Sequence, residues 1–174
     1  MSSADQLPPG IWDALERSST RTRPTLRLLT TFKNGIADVS DEVEGEDIAT
    51  KTNRYDLLCP RDGCASIILK KGVGKLIQRE NSPQIDPSDL PVNALLPSIS
   101  HHTSSNWWLI TPSPMQFENI GFSRIAESLP VSPSGKKIKL IACAECDLGP
   151  LGWSEEGGTE FWLASTRVGY CNEQ

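Results

Sequence analysis

The chain has 174 residues and a net charge of −5. That length suits one domain with a real core, and that charge argues against nucleic acid, whose binders carry a basic footprint. Apolar residues are 37% of the total, and glycine and proline number 13 each, so much of the chain is expected as loop.

The opening MSSADQLPPG has no charged-then-apolar signal pattern. The Arg/Thr/Ser-rich RSSTRTRPTLRLL follows Asp5, Asp13 and Glu16, unlike an acid-poor transit peptide. No apolar run approaches the roughly 18 residues that cross a bilayer, so no stable membrane insertion is expected. A cytoplasmic protein is the reading, and there five cysteines serve better as metal ligands or reactive thiols than as disulfides.

Residues 1–50 read as an N-terminal extension, partly disordered. PPGIWDALERS fits one short amphipathic helix with Ile11, Trp12 and Leu15 on one face, entered through Pro8 and Pro9. DVSDEVEGED, Asp38 to Asp47, is acidic without a base and reads as a solvated linker. Residues 51–174 then read as the folded β domain.

From Asn53 the texture changes. NRYDLLCPRDGCASIILKKG looks like strand, knuckle and second strand, with the β-branched run Ile67, Ile68, Leu69 favouring extended chain. Residues 80–106 are Pro- and Ser-rich without a period, and a loop that long is functional or flexible. Trp107 to Ile110 read as a strand, with Phe117 and Phe122 bracketing a turn. Ile138, Leu140 and Ala142 alternate with Lys137, Lys139 and Ile141, the period of a strand. An aromatic strand is predicted from about Glu160 to Val168. Several short strands separated by turns predict a mostly β fold.

Cys59 and Cys64 bracket Pro-Arg-Asp-Gly, and Cys143 and Cys146 bracket Ala-Glu. Two knuckles, each after a strand, are a familiar way to build a tetrahedral four-cysteine zinc site, with Gly63 and Gly149 helping the backbone turn. The second pair has the standard spacing and the first lies at its wide end. The alternative is that one or more of these cysteines are simply small buried residues. One zinc on four thiolates is structural, since no position stays open for water.

His101 and His102 fall in the long loop, with no carboxylate or cysteine near them in sequence and side chains that diverge on a regular backbone. There is no Gly-rich phosphate loop, no recognisable Ser-His-Asp set and no paired carboxylates in a matching context, so no catalytic residue is assigned.

WWLITPSPMQFENIGFSR, KIKLIACAECDLGPLGW and EFWLASTRV, together with YDLLCPRDGC, resemble the signature blocks of the Mss/Dss proteins, the Rab-interacting factors that act as guanine-nucleotide exchange factors. The resemblance covers about residues 53–170. It implies an Mss-like fold of several coiled antiparallel sheets stapled by one zinc through Cys59, Cys64, Cys143 and Cys146. It also implies exchange and chaperone activity toward exocytic Rab GTPases in vesicle transport, by binding the nucleotide-free form. Such a protein is not an enzyme of covalent chemistry, and a cytoplasmic monomer, peripheral at transport vesicles, is expected. The acidic residue between the second pair of cysteines belongs to the Rab-binding face, which here is Glu145 where the family favours Asp. The first cysteine pair is wider than the family's usual spacing, and the resemblance does not extend to residues before 50 or to the 80–106 loop.

An exchange factor needs a surface that fits the opened GTPase, and acids and aromatics suit it. Phe117, Glu118, Asn119 and Phe122 form a second candidate patch beside Glu145, core packing being the other reading of the two phenylalanines. Trp108 and Trp153 read as core. Two other classes stay open. One is a zinc-stabilised interaction module for some other partner. The other is an enzyme using Cys171, because Arg167, Cys171 and Asn172 are similar to the ending of methionine sulfoxide reductase B enzymes, although with a different spacing.

Overall fold

The computed structural model describes residues 23–44, 49–89, 91 and 93–171. The helix expected over residues 8–18 lies outside them. The described residues form short strands and single 3-10 turns without an α-helix, the mostly β fold expected. In chain order the strands are β1 (Leu26–Leu28), β2 (Ser40–Val43), β3 (Thr50–Asn53), β4 (Leu57–Leu58), β5 (Ile67–Leu69) and β6 (Lys75–Arg79). They continue as β7 (Ser105–Ile110), β8 (Ile120–Ile125), β9 (Ile138–Cys143), β10 (Gly152–Glu155), β11 (Phe161–Ala164) and β12 (Gly169–Cys171).

Two antiparallel sheets result. The smaller runs β1-β12-β4-β5 and the larger β2-β3-β6-β7-β11-β10-β9-β8. Residues 23–44, read from sequence as part of an extension, contribute an edge strand to each sheet. Leu26 pairs with Cys171, and Ser40 pairs with Asn53. Of the acidic run, Asp41 and Glu42 lie on β2, and their side chains pair with Arg54 and Lys51.

The central strands of the large sheet are apolar on both faces, and their alternate residues go to different cores. Trp108 and Ile110 of β7, Ile141 and Cys143 of β9, and Phe161 and Leu163 of β11 face one cluster with Leu57, Leu69 and Tyr170 of the small sheet. Trp107 of β7, Ile138 of β9, Trp153 of β10 and Trp162 of β11 form the second cluster with Ile85 and Ile99. Near-continuous apolar runs such as NWWLI are what two covered faces demand. Gly152 in β10 is fixed by close approach, since a Cβ there would meet the Trp162 carbonyl oxygen at 1.9 Å.

The long stretch between β6 and β7 is an irregular strap across the second cluster. Its own Ile85 and Ile99 are buried in that cluster and its Leu96 in the first, and the Trp107 indole donates to Ser82 Oγ at 2.9 Å. Arg167, fully buried, forms a two-pronged ion pair with Asp86 at 2.6 and 2.7 Å. It also donates to the carbonyls of Pro97 and Pro150, both at 3.0 Å. The aromatic strand read over residues 160–168 ends at Ala164, because the chain turns where Arg167 is drawn to the strap and the Tyr170 hydroxyl donates to the Ser165 carbonyl.

Candidate metal centre and partner face

The first knuckle joins β4 to β5. The Cys59 amide donates to the Ser66 carbonyl at 2.9 Å and the Cys64 amide to Arg61 O at 3.1 Å. Gly63 (φ +80°) and Ala65 (φ +44°) sit in the left-handed region, so the two extra residues of the wide pair are absorbed as one tight turn. The second knuckle leaves the end of β9, where the Cys143 amide donates to Leu148 O at 2.9 Å and the Asp147 amide to Cys143 O at 2.9 Å. Its left-handed residue is Asp147 (φ +58°), not Gly149. Gly149 is needed for room instead, since a Cβ there would stand 2.7 Å from that of Ala142.

The two turns bring four sulfurs together. Cys59 and Cys146 Sγ lie 3.6 Å apart, Cys64 and Cys143 Sγ 3.8 Å, and all four are within 4.8 Å of one another. Sulfurs held about 2.3 Å from a central zinc would stand roughly 3.8 Å apart, so the spacing fits a tetrahedral ion. Burial pushes the Cys59 and Cys146 thiols up. At Cys64 burial also opposes ionisation, but the Ser66 amide and hydroxyl, with the neighbouring thiols, bring it down to about 7. The backbone amides of Arg61, Ser66 and Leu148 are directed at the sulfurs of Cys59, Cys64 and Cys146. Those donors suit thiolates, and a divalent cation is what lets four thiolates coexist in so small a space. The four cysteines can therefore hold a metal ion. Ser66, whose Oγ is 3.3 Å from Cys143 Sγ, is a supporting residue that sequence spacing alone does not mark.

Glu145 stands exposed at the apex of the second knuckle. The preceding amide, of Ala144, donates to the Asn119 carbonyl at 3.2 Å. The Asn119 side chain in turn donates to Ile67 O at 3.1 Å, and the Glu118 amide to Ile68 O at 3.0 Å. The segment 117–119 thus clamps both knuckle-bearing strands and brings Glu118 and Asn119, both exposed, beside Glu145. Phe117 is only 8% exposed and packs edge-on against Phe161, beneath this surface rather than on it. Phe122 is 40% exposed, its ring 5.7 Å from Phe161. Trp108 and Trp153 are buried core.

Cys171 ends β12 at 7% exposure, its amide bonded to Asp56 O at 3.0 Å. The Arg167 guanidinium is committed to Asp86 and two carbonyls, and Asn172 lies outside the described residues.

Comparison with known proteins shows the family of the chain. The Mss4 protein family matches residues 52–170. A Drosophila melanogaster protein described as a guanine nucleotide exchange factor MSS4 homolog is 27% identical over 128 residues, covering 71% of this chain and 89% of that protein.

Proposed function

The chain belongs to the Mss4 family, and we propose that it is a guanine-nucleotide exchange factor and chaperone for exocytic Rab GTPases in vesicle transport. The observation that carries this reading is Glu145, an exposed carboxylate on a turn held by two cysteines and by the Asn119–Ala144 hydrogen bond. A charge fixed on so stiff a support loses little entropy when a basic residue of the partner meets it. Glu118, Asn119 and Phe122 extend the surface, and Phe117 supports it from below. Cys59, Cys64, Cys143 and Cys146 hold one zinc, whose part is structural because four thiolates leave no open position.

Exchange then needs no covalent step. A surface that binds the empty GTPase more tightly than the loaded one lowers nucleotide affinity by the same factor, through linkage. Among the described residues no helix is long and apolar enough to cross a membrane, in keeping with a cytoplasmic factor that meets its GTPase at the vesicle surface.

The test is release of a fluorescent GDP analogue from a panel of exocytic Rabs, with isolation of the complex with the empty GTPase. Acceleration and a stable complex are expected. Glu145→Ala should weaken that complex about tenfold, roughly 1.4 kcal/mol. Absence of both effects with every Rab would sink the reading.

A further inference from the structure

A cleft of about 380 Å³ opens where the strap crosses the ends of β8 and β9. Pro87, Pro91 and Leu96 wall it from the strap, and Leu140 and Ala142 contribute from β9. Gly149 and Pro150, just past the second knuckle, close the far side. Among the described residues no side chain fills it, and the reason is local. Gly121 and Ala142 are cross-strand partners, so their side-chain positions share one face of the sheet. Gly121 has no positive φ, and a Cβ there would meet nothing within 4 Å. Neither backbone strain nor crowding requires that glycine, and its effect is to leave the cleft open.

The charge of the cleft is one-sided. Asp86 and Asp147 are the carboxylates that line it, and no base does. Asp86 is neutralised from behind by Arg167. Asp147 is exposed, and among the described residues it pairs with no base. The volume sits at the low end of the range for ligand pockets, about 300–1,000 Å³, which is room for one or two large side chains. The cleft is continuous with the proposed partner face. Its Asp147 lies on the knuckle that carries Glu145, and its Gly121 on the strand that follows Asn119.

We infer that this cleft takes an apolar side chain of the bound GTPase, next to a lysine or arginine of the same segment that meets Asp147. The identity of the partner rests on the function proposed above, whereas the chemistry of the occupant rests on the cleft alone. An apolar anchor in a desolvated pocket, rimmed by charge, is how a few residues come to dominate an interface.

Two probes separate the readings. The first is acetyl-Phe-Lys-amide titrated into the isotope-labelled full-length chain, with acetyl-Phe-Glu-amide as its counterpart. Amide shifts at Ser123, Ala142 and Gly149 are expected with millimolar affinity, several-fold weaker for the glutamate probe. Gly121→Leu, whose side chain enters the open floor, should abolish them, and Asp147→Asn should erase the preference for lysine. The second probe is an exocytic Rab freed of nucleotide, for which Gly121→Leu should cost about tenfold in affinity. Dipeptide binding that disappears in Gly121→Leu supports the cleft even if no Rab binds the native chain, in which case only the proposed function falls. Rab or dipeptide binding that Gly121→Leu leaves unchanged overturns the cleft, as does a dipeptide that shifts none of these amides.

Discussion

Around the cysteines the chain turns through Gly63, Ala65 and Asp147 with positive φ and carries exposed Glu118 and Glu145 at the edge of the first core cluster, to which Cys59, Cys143 and Leu148 belong. On the other face of the large sheet, Trp107 meets Trp153 edge-on, Trp153 stacks on Trp162, and the Arg79 guanidinium caps Trp162 at 4.2 Å under the strap. The knuckle turns themselves are polar and exposed, so burial alone does not fix them, and a thiol-bound ion would supply the missing constraint. The second needs no ligand because aromatic area does the holding. The exposed candidate partner residues Glu118, Asn119 and Glu145 gather in the first region.

The sharpest way to separate the two regions is to remove the proposed zinc. Structural zinc contributes apparent energies of about 10 kcal/mol or more in small domains. Exhaustive chelation, or Cys143→Ser, should therefore collapse protection from hydrogen exchange at the amides of Ala144 and Asp147. Protection at Trp107 to Ile110 should be lost later. Simultaneous loss in both places would erase the distinction, and metal analysis well below one equivalent in the native protein would remove its basis.

Trp153→Ala attacks the other side. It should cost about 3–5 kcal/mol, read from the urea midpoint, with bound metal unchanged. Arg167→Leu should cost somewhat less, about 3 kcal/mol, because it strands the partly exposed Asp86 and two carbonyls. Exchange at the Leu96 amide would report the loosened strap, and adding Asp86→Leu should recover part of the loss. Glu145→Ala should leave stability within about 0.5 kcal/mol while weakening the GTPase complex. A folding defect in that variant would make Glu145 structural.

The smallest effect concerns pH. Glu155 accepts hydrogen bonds from Ser134 and, at 2.7 Å, from Ser132, which hold its carboxyl below the usual value near 4.5. A depressed folded value means that this stabilisation is present above pH 4.5 and is lost as the pH falls through the lowered value. Glu155→Gln should flatten that part of the acid-unfolding profile. An unchanged profile would show that the serines contribute nothing there.

The strands at Ile67–Leu69 and Trp107–Ile110 were legible as short β-branched or aromatic apolar runs, and that at Ile138–Cys143 from its alternation. The four thiols were legible from spacing. The strands at Leu26–Leu28 and Ser40–Val43 were not, because each is short and at an edge, and β1 pairs with the far end of the chain. The strap carried no period because single residues, Ile85, Leu96 and Ile99, anchor it rather than a repeating face. The break after Ala164 depended on Arg167 finding Asp86, a partner 81 residues away.

The sequence by itself thus determined the residue types the chemistry needs: four soft ligands on two turns, an acid between two of them, and strands patterned to bury tryptophan. Tertiary structure decided which of these meet. It set Cys59 against Cys146 and Cys64 against Cys143, tied Asn119 to Ala144 so that the two candidate patches became one surface, and sank Phe117 while leaving Phe122 at the rim. The division has a physical cause. Ligand softness and strand period are properties of side chains read along the chain. Burial and juxtaposition depend on which distant segments the sheets bring into register, and no local pattern encodes that.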